Sequence, residues 1–80
     1  MTSCAWEEIS NFRSLIEFRR FVTWMEQQIT AGLATEVPVG NPYSGAASLT
    51  EKWFRHIESG QIWRLIWPDG PFCGLFKQVQ

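Results

Sequence analysis

Apolar positions along this chain follow two different periods. From Leu15 onward they recur at Leu15, Phe18, Val22, Met25 and Ile29, the three- and four-residue spacing of one helical face, and Phe21 and Trp24 widen that stripe. Glu17, Arg20 and Gln27 fall on the opposite side. Ser14 followed three residues later by Glu17 is a capping-box signature, and Gly32 suits the left-handed conformation that closes a helix. The pattern therefore predicts a helix over Leu15–Ala31, about 25 Å long; if it starts earlier, Arg13 and Glu17 are placed to pair across one turn. Upstream, Trp6, Ile9 and Phe12 are spaced by three and read as a short helical lead-in.

Beyond Gly32 the signals become those of strands. Leu33 to Val39 is a β-type run in which Pro38, lacking an N–H, fits only an edge strand or a strand end. Gly40-Asn41-Pro42-Tyr43-Ser44-Gly45 has the composition of a loop. Two further runs flank Glu58-Ser59-Gly60 and predict a hairpin. A two- or four-residue loop places Ile57 opposite Ile62 and therefore Arg55 opposite Arg64, a destabilising like-charge pair. A three-residue loop with Gly60 left-handed avoids it and pairs Arg55 with Trp63 and Phe54 with Arg64. In that register one face presents Trp53, Arg55, Ile57, Trp63, Leu65 and Trp67, and the other Phe54, His56, Ile62, Arg64 and Ile66. Pro68-Asp69-Gly70-Pro71 turns the chain into a last strand, Leu75 to Val79. The elements add up to an α+β fold: one long N-terminal helix packed on a small antiparallel β-meander of three to four strands, in a single domain spanning residues 1–80.

Composition changes this picture in two respects. Eighty residues lie below the size at which one core comfortably outweighs the entropy of ordering the chain, and Cys4 and Cys73 alone cannot supply a disulfide framework. Five Trp, six Phe and one Tyr are the compensating material. Each buries roughly 150–250 Å², or several kcal/mol of gross hydrophobic stabilisation at about 25 cal/mol per Å². Residues Met1 to Ile9 carry Glu7 and Glu8 and no apolar run of signal-peptide or membrane-span length, so a cytoplasmic protein is expected, with its thiols reduced; a single Cys4–Cys73 bridge stays open on sequence grounds.

Seven Lys or Arg against eight Asp or Glu give a formal net charge of -1, which supplies no global field toward nucleic acid or acidic membrane. Neither a P-loop, a dinucleotide fingerprint nor a serine elbow occurs, and the chain is read as non-enzymatic and free of cofactors. Cys4, His56 and Cys73 form the one conceivable metal set, but it lacks a fourth soft ligand and the short paired spacings of structural zinc sites. His56 has no carboxylate near it in sequence to orient it as a base, and reads as a packed imidazole. Arg55 and Arg64 among tryptophans suit a single-strand-binding sheet, or equally a cation–π pair inside the sheet; the low positive charge favours packing.

One resemblance adds to this reading. Trp53-Phe54-Arg55, then Ser59-Gly60-Gln61-Ile62-Trp63-Arg64-Leu65-Ile66, Pro68-Asp69, Pro71-Phe72 and Gly74 resemble a family of small bacterial immunity proteins that accompany polymorphic and contact-dependent growth-inhibition toxins. The resemblance covers about half the chain, from Tyr43 to Val79. It implies a cytosolic, non-catalytic protein that binds one cognate toxin domain, often a nuclease, and blocks it. It carries over no toxin-contacting residue, and where that family commonly places cysteine and arginine this chain has His56 and Cys73. From the residues themselves, carboxylates near strand ends and turns together with aromatic anchors mark Glu36, Tyr43, Glu51, Glu58, Trp67 and Asp69 as candidate partner-binding positions. The alternative is a small nucleic-acid-binding β module that uses the aromatic and arginine-bearing sheet face.

Overall fold

Helix α1 (Leu15–Thr30) starts at the signal read from the sequence. Ser14 is extended, and its side-chain oxygen accepts the Glu17 N–H at 3.1 Å. Glu17 reaches back to accept the Arg13 backbone N–H at 3.2 Å, so the pairing expected between their side chains is made instead to the main chain. Ala31 caps the other end and Gly32 takes φ 77°. In this computed structural model, residues 6–43, 50–69 and 72–79 are described.

Four strands follow, β1 (Ala34–Val37), β2 (Glu51–His56), β3 (Ile62–Ile66) and β4 (Leu75–Gln78), in one antiparallel sheet of order β1-β2-β3-β4. The α+β meander is as expected, with Pro38 just past the end of edge strand β1. The N-terminal segment is not a helical lead-in. It runs extended along the outer edge of β4, where Ile9 and Phe76 exchange backbone hydrogen bonds of 2.8 Å and the Phe12 N–H donates to the Cys73 carbonyl at 3.1 Å. The exposed row of backbone groups on an edge strand supplies these partners, and that wins over a weak three-residue period.

The hairpin register also departs from expectation. Arg55 faces Ile62, Phe54 faces Trp63 and Trp53 faces Arg64, one residue away from the register read from the sequence. Four residues, Ile57 to Gly60, make the loop, closed by the His56 N–H to the Gln61 carbonyl and the Gly60 N–H to the His56 carbonyl, both 2.8 Å. Gly60 is left-handed as expected, at φ 75°. This loop escapes the Arg55–Arg64 clash as well, by shifting the strands in the other direction. The slip reverses the partners on each face, because side chains alternate with period two. Phe54 and His56 now share a face with Trp63 and Leu65, while Trp53 and Arg55 share the other with Ile62, Arg64 and Ile66.

α1 covers the first of these faces. Its Phe18 and Met25 enter one core with Ala34, Phe54, Trp63, Leu65 and Phe76, joined by Trp6 and Phe12 from the N-terminal segment. Trp63 stacks on Phe76 at 4.8 Å, and Trp6 meets Trp24, Trp63 and Phe76 at 5.8–5.9 Å. All twelve aromatic residues are buried or half-buried. The large exposed side chains are aliphatic instead, and they include Leu15 and Ile29, which periodicity had assigned to the core stripe. Both sit at the ends of α1, outside the core cluster. No helix among the described residues is long and apolar enough to cross a membrane.

Gly74 brings the chain into β4 at φ 78°, and a Cβ there would sit 2.8 Å from the Ile66 carbonyl oxygen and 3.2 Å from the Phe12 ring. Gly60 has a similar φ with open space around it. Gly60→Ala should therefore cost about 1–2 kcal/mol for the left-handed backbone alone, and Gly74→Ala at least about 1 kcal/mol more for the added clash. Urea midpoints of the two variants check this, and equal losses would contradict the close approach at Gly74.

Candidate functional site

The sheet face turned away from α1, here the far face, gathers two of the candidate residues. Glu51 begins β2, and alternation places its side chain on the same side as Trp53 and, across the pair, Ile66 and Arg64. Its carboxylate is almost wholly buried, with 6% of the side chain accessible, and it takes three partners. The Tyr43 backbone N–H donates to Oε1 at 2.9 Å, the Trp53 indole Nε1–H donates to Oε2 at 2.6 Å, and Arg64 Nε lies 3.4 Å from Oε2. The Arg64 guanidinium is 5.2 Å from the Tyr43 ring centre and 5.5 Å from that of Trp53. A cation held by two rings and a carboxylate is thus built into the far face, at the point where the loop after β1 returns over the sheet. That return is close: a Cβ on Gly40 would lie 3.5 Å from the Trp53 ring.

On this face cations outnumber carboxylates. Arg64 stands directly opposite Lys77 on β4, and Arg55, opposite Ile62, is one diagonal step away. Arg55 is exposed, Lys77 is half-buried, and among the described residues neither has an ion pair. The two ion pairs of the described chain are Arg64–Glu51 and an exposed one, Lys52–Glu36, at 3.8 Å.

The other candidates lie elsewhere. Glu36 and Trp67 belong to the helix side, where with Lys52, Val22, Met25 and Phe54 they line a cleft of about 140 Å³ between α1 and the sheet. Trp67 packs edge-on against Phe18 at 5.3 Å, which makes it part of the core boundary. Glu58 sits exposed in the hairpin loop and Asp69 exposed at the β3–β4 turn, so the carboxylates do not assemble into one acidic rim. Trp53 and Lys77 were absent from the candidate set. The pairing of Glu51 with Trp53 was readable from their two-residue spacing in a strand, whereas the place of Lys77 depends on the β3–β4 register, which no local signal fixes.

His56 is a turn residue. The Ser59 backbone N–H donates to its Nδ1 at 3.3 Å, which makes Nδ1 an acceptor, and the Ser59 hydroxyl, 2.8 Å away, donates to the same nitrogen while accepting the Gln61 N–H at 3.2 Å. Trp6 meets the imidazole edge-on at 4.9 Å. The Cys4–His56–Cys73 metal set and the Cys4–Cys73 bridge cannot be placed, since Cys4 lies outside the described residues; Cys73 is exposed. Among the described residues no three His, Cys, Asp or Glu side chains converge on one point.

Compared with protein-family models, curated proteins and solved structures, the chain matches none of them.

Removing the Glu51 carboxylate strands a mostly buried guanidinium, an indole N–H and a backbone N–H together. Glu51→Ala should cost about 2–4 kcal/mol, against about 0.5 kcal/mol or less for Glu36→Ala at the exposed pair. Denaturant unfolding followed by tryptophan fluorescence measures both, and equal small losses would show that the far-face cluster is not held through Glu51.

Proposed function

We propose that this chain is an immunity protein: a non-enzymatic module that acts in the cytoplasm, binds one cognate toxin domain and occludes it. The observation that carries the reading is the far-face cluster, in which Tyr43, Trp53 and Arg64 are fixed around one carboxylate beside exposed Arg55. Groups already held in place lose little freedom on binding, which is what a tight one-to-one inhibitor requires. The resemblance of residues 43–79 to immunity proteins points the same way and spans the same elements.

The nucleic-acid reading has less to stand on. A stacking platform needs accessible rings on one surface, whereas Trp53 and Trp63 lie on opposite faces of the sheet and are 7% and 3% accessible. A net charge of -1 adds no attraction for a polyanion.

The test is growth rescue. A secreted protein with a variable toxic C-terminal domain should be encoded beside this chain; co-expression should restore growth to cells making that domain, and the purified pair should elute as a one-to-one complex. Failure of rescue while the folded chain accumulates would overturn the reading.

A further inference from the structure

The strands place more cations than carboxylates on the far face. Arg64 and Lys77 are directly opposed on β3 and β4, a spacing of about 5 Å between Cβ atoms at which like charges destabilise a sheet. Arg55 adds a third cation one diagonal step from Arg64, about 7–8 Å away. Glu51 is the carboxylate that strands β1 to β4 place on this face, and its oxygens are already shared among Tyr43, Trp53 and Arg64. Glu8, on the segment paired with β4, stands in register with Lys77, and its Oε2 accepts the Gln78 N–H at 3.3 Å, so three of the seven basic residues of a net-acidic chain face two carboxylates that already have partners.

The guanidinium at the centre is oriented as well as charged. Tyr43 and Trp53 hold it between their rings, and its Nε is turned inward, buried toward Glu51 without a hydrogen bond of good geometry. No described residue accepts a hydrogen bond from either Nη. A fixed fork of donors flanked by two further cations matches the bidentate geometry of a carboxylate.

We infer that the far face receives carboxylates of a protein partner, with Asp or Glu side chains seated on Arg64 and flanked by Arg55 and Lys77. The inference rests on reading the chain as a protein-binding module, but not on the partner being a toxin. Phosphate of a nucleic acid would satisfy the same charges, but both rings of the clip are engaged by Arg64 and Trp53 is buried, so no ring is left on which a base stacks. The arrangement also trades stability for binding. Lys77 weakens the free sheet through Arg64, and an anionic occupant turns that repulsion into attraction.

The experiment is a nitrogen-15 NMR titration of the full chain at low salt with capped hexaglutamate, and in parallel with a hexathymidylate strand. The Trp53 indole N–H and the Arg64 Nε–H should move with hexaglutamate, while the Trp63 indole, under α1, stays in place. Arg55→Glu and Lys77→Gln should each weaken binding about fivefold or more, and Arg19→Glu, an equal reversal of charge on the exposed side of α1, by less than about twofold. Lys77→Gln should at the same time keep or raise the urea midpoint, which a merely structural lysine would not do. No displacement by hexaglutamate, an equal loss with Arg19→Glu, or tighter binding of hexathymidylate would each overturn the inference, the last in favour of nucleic acid. If the titration behaves as expected while growth rescue fails, the toxin reading falls and the carboxylate-binding face stands.

Discussion

The pairing of Phe54 with Trp63 is the constraint on which the rest of this molecule depends. Strand side chains alternate strictly, so once these two rings share the helix-covered face, every other position of β2 and β3 is assigned to a side. Leu65 and, through β4, Phe76 join them under α1; Trp53, Arg55, Ile62 and Arg64 are sent to the far face. A slip of one residue would place Arg64 beneath the helix among Phe18, Met25 and Phe54, away from Glu51, and would send Trp63 out to the far face. The cost of stranding a charge in such a core, several kcal/mol, exceeds anything the turn chemistry contributes, so burial sets the register and the loop accommodates it.

A second tier of organisation follows on the far face. Trp53, Ile66 and Leu75 are buried there without belonging to the main core, and the chain near Gly40 and Tyr43 returns over Trp53. Because the Trp53 indole and the Tyr43 backbone both donate to Glu51, that returning loop is tied to the sheet by a polar contact as well as by its packing on Trp53. The same carboxylate balances Arg64. One side chain thereby couples loop position to the charge balance of the face, and Arg55 and Lys77 have no ion pair among the described residues.

Elements with local signals were legible in the sequence. The cap at Ser14, the period of α1, the edge position enforced by Pro38, the left-handed Gly60 and the last strand were each written in a few neighbouring residues, and the structure has them. What escaped was decided by distant residues. The N-terminal segment is extended because β4 offers it an edge, and the hairpin register is set by what α1 can bury. The candidate site suffered for the same reason. Tyr43 and Glu51 were identified as an aromatic anchor and a carboxylate near turns or strand ends, but the grouping of Trp53, Arg64 and Lys77 with them rests on registers between strands, and carboxylates near turns, such as Glu58 and Asp69, looked equivalent until the fold separated them.

Cross-strand proton contacts in the free protein test the central claim most directly. In an antiparallel pair the non-hydrogen-bonded partners bring their Hα atoms together, and the His56–Gln61 hydrogen bond makes Arg55–Ile62 and Trp53–Arg64 such pairs. Hα–Hα Overhauser contacts between Arg55 and Ile62 and between Trp53 and Arg64 are the predicted result. A contact between Phe54 and Arg64 or between Arg55 and Trp63 would contradict the account, because it would return Arg64 to the side of Phe54 and dissolve the far-face cluster.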